Sequence, residues 1–226
     1  MRLGWLLAAF LTACAPEGAE APASAEPTAP ARAERVERVP PATFLALVFD
    51  QEAGGPRTRL LRLEEPIRVA FAGRGGAAYA SDLDLLLRRL RVEASLDIRA
   101  ADTGEITVRF IPGAEMRRLY PGTACFVVPA AIDWRSYLRA VRRGRDPRWS
   151  ALERLEAATI FIPDDQIPHN VRACLYEELA QALGAGNDLY ALPSSIFNDD
   201  NRFTFLTGFD MAVLRRLYAP DLRPGM

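Results

Sequence analysis

Four polar side chains interrupt a largely apolar stretch in the last quarter of the sequence. Glu177 and Glu178 are adjacent, Gln181 follows, and Asn187 lies just beyond a glycine. A carboxylate placed on a helix can act as a general acid or base. Carboxylate and amide oxygens can also bind a hard cation such as Ca²⁺ or Mg²⁺. The chemistry of this stretch therefore depends on which of these side chains converge.

A helix is expected to carry these residues. Its apolar side chains recur with helical spacing at Val171, Leu175, Leu179 and Ala182. Gly184 can adopt the left-handed conformation that ends a helix and reverses the chain. Glu177 and Gln181, four residues apart, are expected to share a face, with Glu178 about 100° around the helix from Glu177. Asn187 is expected to return towards that face.

The spacing of residues 177–187 resembles the zinc-binding helix of metalloproteases, H-E-x-x-H-x-x-G-x-x-H. Glu178 holds the general-base position, while Glu177, Gln181 and Asn187 hold the three ligand positions. Residues 195–199 (Ser-Ile-Phe-Asn-Asp) and 206–218 are similar to the methionine-containing turn and the C-terminal helix of matrixin-type metzincins. The resemblance implies an α+β, zincin-like fold, with a small mixed sheet, a central helix and a C-terminal helix. Because neutral amides are poor zinc ligands, we expect no zinc and no other cofactor.

A second resemblance is more specific. The glutamate pair, the Ser-Ile-Phe run and the closing Leu-Tyr-x-Pro…Pro-Gly-Met are similar to a bacterial lipoprotein family called domain of unknown function 2927 (DUF2927). The similarity covers about residues 42–226, which we take as the folded domain. It implies a zincin-like fold and no established reaction.

The role of Glu178 stays open between catalysis and structure. It could be a catalytic carboxylate, or a buried group that ties the helix to a neighbouring loop or to the turn at residues 194–196. A glycosidase mechanism would need a second acid from another element. The available acids are Asp164, Asp165, Asp199 and Asp200. Their positions are typical of turns at the ends of strands and helices, which is the interpretation we favour.

The histidine and cysteine residues restrict the chemistry further. His169, the single histidine, lies eight residues before Glu177 and cannot replace a ligand in the same geometry. We expect it at the start of the helix or on the surface. Cys125 and Cys174 could form one disulfide in an oxidising compartment, or could remain two buried thiols.

Strands and helices alternate through the domain and predict a mixed α+β architecture. Strands are expected at residues 67–71, 98–100, 105–111, 124–128 and 158–162, the last leading into the central helix. Helices are expected at residues 42–51, from residue 81, and at 114–119, 134–143, 170–184 and 206–218. Residues 98–111 are expected to form a hairpin around the Asp-Thr-Gly at 102–104. Ser81, Asn170 and Thr207 are the expected helix N-caps, the last in a capping box with Asp210.

The first 41 residues are expected to lie outside the domain. Residues 1–13 have the short positive and apolar segments of a signal peptide, and Leu-Thr-Ala-Cys at 11–14 resembles a lipobox. Cys14 would then be lipidated and hold the chain on a membrane; the alternative is an ordinary secretory leader with an incidental cysteine. Ala15 favours the outer over the inner membrane. Residues 14–41, rich in Ala, Pro and Glu, are expected to be a disordered tether.

Overall charge limits the partners. The net charge of −1 gives no strong overall field that would favour nucleic acid or an anionic membrane. Every basic residue apart from His169 is arginine, which is typical of a GC-rich genome and leaves open a binding surface built from guanidinium groups.

From the lipobox and the two family resemblances, we expect a periplasm-facing envelope lipoprotein with a non-catalytic pseudoprotease domain that binds a peptide, glycan or partner protein. The alternative is a hydrolase that uses Glu178 with an atypical metal or none.

Overall fold

The structure is a computed structural model that describes residues 38–51, 55–198 and 203–226. The predicted signal peptide, Cys14 and the predicted tether as far as residue 37 lie outside the described residues, as do Asp199 and Asp200. Within the described ranges, no helix is both long enough and apolar enough to cross a membrane.

A five-stranded, mostly parallel sheet forms the centre of the domain. Its strands are β1 (Ile67–Ala72), β2 (Ile98–Ala100), β3 (Ile106–Ile111), β4 (Phe126–Val128) and β5 (Ala158–Pro163). The order across the sheet is β2-β1-β3-β5-β4. The edge strand β4 runs antiparallel to β5, while the remaining pairs are parallel. The expected mixed α+β architecture is confirmed.

The predicted hairpin between β2 and β3 is wrong. Both strands pair in parallel with β1, with Ile67 opposite Ile98 and Val69 opposite Ile106. A Cβ atom on Gly104 would lie 2.2 Å from the carbonyl oxygen of Arg68. The glycine therefore lets the connection pass close against β1, whereas the sequence suggested a two-stranded turn.

Six α-helices in the described residues cover the sheet. They are α1 (Pro41–Phe49), α2 (Ala80–Glu93), α3 (Gly113–Leu119), α4 (Trp134–Arg142), α5 (Pro168–Ala182) and α6 (Gly208–Leu217). The side chains of β5 point alternately into two hydrophobic cores. Ile160 and Ile162 belong to the main core with α2, α5 and α6, and Phe161 belongs to a smaller aromatic core with α3 and α4. β5 is therefore buried along its whole length, and the chain passes directly from it towards α5.

The structure confirms one of the three predicted helix N-caps. Thr207 and Asp210 form the predicted capping box of α6. Ser81 lies inside the first turn of α2, which begins at Ala80 without a side-chain cap. Asn170 lies inside the first turn of α5, because Pro168 begins that helix with a backbone φ already suited to it.

Candidate functional site

The helix α5 is buried on most of its surface. The predicted stripe of Val171, Leu175, Leu179 and Ala182 lies in the main core. Gly184 follows with a φ of +124°, as expected for a helix-ending glycine. His169 is exposed in the first turn, as predicted.

One side of α5 borders a cleft of about 400 Å³. On the helix, Glu178 and Gln181 line it, and Gly186 continues this wall beyond the helix end. A second wall comes from β4 and the residue before it. The remainder comes from α4 and the loop that follows it, and from the segments after α1 and α3. The lining outside α5 and Gly186 is formed by Gln51, Gly55, Tyr120, Thr123, Cys125, Phe126, Val127, Val128, Tyr137, Asp146, Pro147, Arg148, Trp149 and Ser150.

A disulfide ties the two main walls of the cleft together. Cys125, beside β4, is bonded to Cys174 of α5, with 5.8 Å between the Cα atoms. The disulfide alternative is thus confirmed over two free thiols. Cys174, Glu178 and Gln181 are spaced at i, i+4 and i+7, so they form one stripe of the helix. This stripe differs from the predicted pairing of Glu177 with Gln181.

The residues at the ligand-like positions have different surroundings. Gln181 donates to Asp188 at 3.5 Å, and the amide of Asn187 donates to the carbonyl of Ala46 at 3.1 Å. Glu177 is half-buried and is absent from the cleft lining. In the described part of the chain, no group of three or more His, Cys, Asp or Glu side chains is placed to hold a metal ion. The residues present therefore do not fit a zinc ion held in the protease manner.

The cleft has an aromatic side. Tyr120, Phe126, Tyr137 and Trp149 contribute to it, and the hydroxyl groups of Tyr120 and Tyr137 lie 2.6 Å apart. Burial, reinforced by the bond to Tyr120, raises the pKa of Tyr137. The phenol of Tyr137 therefore stays neutral at physiological pH, and the two hydroxyl groups offer hydrogen-bonding groups beside apolar ring faces.

A buried arginine supports the cleft from behind. Arg57 donates from Nη1 to the carbonyl of Gly184 at 2.6 Å and stacks on Trp149, with its guanidinium carbon 4.3 Å from the ring centroid. Burial lowers its pKa to about 10. A Cβ atom on Gly186 would lie 1.8 Å from Nη2 of Arg57. The cleft wall at Gly186 therefore rests directly on this guanidinium group.

The turn at residues 195–197 is held by Asp210. Its carboxylate accepts hydrogen bonds from the hydroxyl of Ser195 at 2.5 Å, from the N–H of Ile196 at 3.1 Å and from the N–H of Thr207 at 2.7 Å. Burial raises the pKa of Asp210 against the opposing effect of these bonds. Asp210 is therefore the carboxylate that holds this turn to the start of α6.

The two described acids that could have served a glycosidase mechanism have structural partners outside the cleft. Asp164 accepts a hydrogen bond from the N–H of Gly113 at 3.2 Å, and Asp165 pairs with Arg117 at 2.6 Å. Both lie at the end of β5, so the interpretation as turn residues holds for them.

Sequence reasoning missed most of the cleft. Nothing in the sequence marked Arg57, and the aromatic side is contributed by residues that are scattered along the chain. One sequence pattern did predict an element that lines the cleft. The amphipathic pattern of residues 134–143 predicted α4, whose buried Tyr137 reaches the cleft.

The sequence comparison gives one family. Residues 41–226 match the family described as protein of unknown function (DUF2927). No curated protein matches the chain.

Proposed function

Since the chain belongs to the DUF2927 family, we propose its function from the geometry of the cleft: it is a non-catalytic envelope protein that binds an extended polypeptide segment alongside β4. The observation that carries the proposal is the position of β4. This strand is at the edge of the sheet, where it pairs with β5, and all three of its residues line the cleft.

An edge strand at a cleft suits strand addition. Its outward N–H and C=O groups can pair with the backbone of an extended chain, which gives affinity independent of sequence. Tyr120, Phe126 and Trp149 offer ring surface for alternate side chains of such a ligand. Glu178, with 4% of its surface exposed, and Gln181, with 8%, place a carboxylate and an amide opposite β4.

We propose further that the domain descends from a zincin-like protease. The support is the order of its parts: β5 leads into a buried α5, Gly184 turns the chain, Ser195 begins a pinned turn, and α6 closes the domain. The amides at two ligand-like positions favour binding over hydrolysis. The alternative hydrolase has Glu178, a carboxylate in the cleft wall, as its one favourable observation.

The binding proposal is tested with a library of short unstructured peptides. Selected peptides are expected to slow hydrogen exchange of the amides at residues 125–128. Thr123→Trp, which fills the cleft from an exposed position, is expected to weaken binding more than tenfold. Thr58→Trp places the same side chain on an exposed site outside the lining and serves as the matched control. Peptide binding that is unaffected by Thr123→Trp would overturn the proposal.

Catalysis is tested separately. The bound peptides are analysed by mass spectrometry for cleavage, and protein purified without chelator is analysed for bound metal. We expect intact peptides and no stoichiometric metal. Cleavage that disappears in Glu178→Gln would establish the hydrolase instead.

Attachment to the envelope is the third part of the proposal. Lipidation of Cys14 is expected to place the chain in the membrane fraction with the mass of added acyl groups, and Cys14→Ala is expected to release it. A Cys14→Ala chain that stays membrane-bound at high salt, where charge-based binding to lipid is screened, would contradict anchoring at this residue.

A further inference from the structure

The segment from α4 to the cleft is the most basic part of the described surface. Residues 134–148 contain six arginines and a single aspartate, a net charge of +5, although the whole chain carries −1. All six arginines are exposed. They are Arg135, Arg139, Arg142, Arg143, Arg145 and Arg148, and we call them the arginine face.

The fold orders part of this face as a stripe. Trp134 and Tyr137 turn inward to the aromatic core. Arg135, Arg139 and Arg142 are spaced at i, i+4 and i+7, so they line the opposite side of a helix about 13 Å long. The outward side of α4 is therefore entirely basic along its length.

As far as the structure describes the chain, most of the arginine face lacks the ion pairs that Arg88 and Arg89 form on α2. On α2, Arg88 pairs with Asp84 at 3.0 Å and Arg89 with Glu93 at 2.7 Å. On the arginine face, Arg148 pairs with Asp146 at 3.3 Å. For Arg135, Arg142, Arg143 and Arg145, the described part of the chain supplies no ion pair. Within the described residues, four of the six arginines therefore carry a positive charge that no ion pair neutralises.

Helix stability does not account for this arrangement. Cations near the end of a helix interact favourably with its dipole, which would explain Arg139 and Arg142. Arg135 lies in the first turn of α4, where a cation is unfavourable. An external anion that neutralised this row would relieve the repulsion between its members.

We infer that the arginine face docks on the anionic phospholipid headgroups of a bilayer. Guanidinium groups donate paired hydrogen bonds to phosphate oxygens, and a flat lipid surface can meet several of them at once. Because Tyr137 and Arg148 also line the cleft, this docking would hold the cleft beside the headgroups. The inference requires neither peptide binding in the cleft nor lipidation of Cys14.

The test measures flotation of the full chain carrying Cys14→Ser with lipid vesicles. Vesicles of phosphatidylcholine are compared with vesicles that also contain phosphatidylglycerol, so that the difference reports charge alone. Each arginine near an anionic surface is worth about fivefold in binding. Replacing Arg135, Arg139 and Arg142 together by glutamine is therefore expected to reduce the anionic-lipid preference on the order of 100-fold.

A matched control removes the same charge elsewhere. Arg59, Arg74 and Arg99 are exposed and scattered, and their replacement by glutamine is expected to leave the preference within a few-fold of the parent. Lysine at the three α4 positions is expected to retain most of the preference. Equal losses in both glutamine variants, or no preference for anionic vesicles in the parent, would overturn the inference and would favour an acidic protein as the partner.

Discussion

Arg57 stacks its guanidinium group on the ring of Trp149 at 4.3 Å while donating hydrogen bonds to the carbonyl groups of Val48 and Gly184. One side chain thus joins the end of α1, the turn after α5 and the segment that carries Trp149. Since Trp149 lines the cleft, the shape of the cleft depends on a residue that is almost completely buried behind it.

Arg57→Ala is expected to destabilise the domain by about 3 kcal/mol, because it leaves buried carbonyl groups unpaired and removes the packing on Trp149. Arg57→Met retains the stem on the ring and no longer buries a charge, so it is expected to cost less. Urea unfolding measures both. Arg59→Ala, at an exposed neighbour, should change the free energy of unfolding by less than about 0.5 kcal/mol. A similar small effect for Arg57→Ala would contradict the bracing role.

Loss of the Cys125–Cys174 disulfide is expected to loosen the cleft. The bond closes a loop with a sequence separation of 49 residues, and its removal should cost about 3 kcal/mol. The double variant Cys125→Ser/Cys174→Ser should therefore unfold at lower urea concentration than the parent. Reductant should destabilise the parent and leave the double variant unchanged. Equal sensitivity of the two proteins to reductant would contradict the prediction.

Local sequence signals predicted those parts that depend on local geometry. Gly184 and the Thr207–Asp210 capping box act through a few neighbouring residues, and both were predicted correctly. The hairpin around Gly104 failed because β1, distant in sequence, pairs with both strands. A turn sequence predicts where the chain changes direction, but it does not predict which strand will pair with the strands on either side of the turn.

The side of α5 that borders the cleft could not be predicted from its sequence pattern, for a different reason. α5 is buried around most of its circumference, so its apolar residues define no single face. Glu178 lines the cleft and Glu177 does not, because β4 and Cys125, which are distant in sequence, lie against the side of α5 that carries Cys174 and Glu178. No sequence pattern predicts the role of Arg57, because the groups to which it donates hydrogen bonds are backbone carbonyls, which every residue has.

Asp210→Ala is expected to destabilise the domain by about 3–4 kcal/mol, because the buried hydroxyl of Ser195 and the N–H groups of Ile196 and Thr207 lose their acceptor. Thermal or urea unfolding measures the loss. Asp221→Ala removes an exposed carboxylate from its pair with Arg216 and is the matched control, with an expected change below about 1 kcal/mol. Similar effects at the two positions would contradict the assignment of Asp210 as the anchor of the turn.

Gly184→Ala is expected to be more harmful than a change at any exposed turn glycine. The added Cβ would lie 2.4 Å from the carbonyl oxygen of Leu61, in addition to the strain of a φ of +124°. Gly122→Ala supplies the control, since its φ is +88° and nothing lies within 4 Å of its Cβ position. We expect about 1–2 kcal/mol for Gly122→Ala from backbone strain alone, and at least twice that for Gly184→Ala. Equal losses in urea unfolding would show that the clash is relieved.

The acid sensitivity of the domain should depend on the pair formed by Arg68 and Glu105. Hydrogen bonds from the Arg68 side chain, the largest cause, lower the pKa of Glu105 from 4.5 to about 2. The folded state then binds fewer protons than the unfolded state between these values, so the stabilisation is complete above pH 4.5 and is lost as the pH falls through about 2. Glu105→Gln and Arg68→Gln are both expected to flatten this part of the curve of unfolding free energy against pH. Urea unfolding at several acidic pH values measures the slope, and a slope that both variants retain would assign the acid sensitivity to other carboxylates.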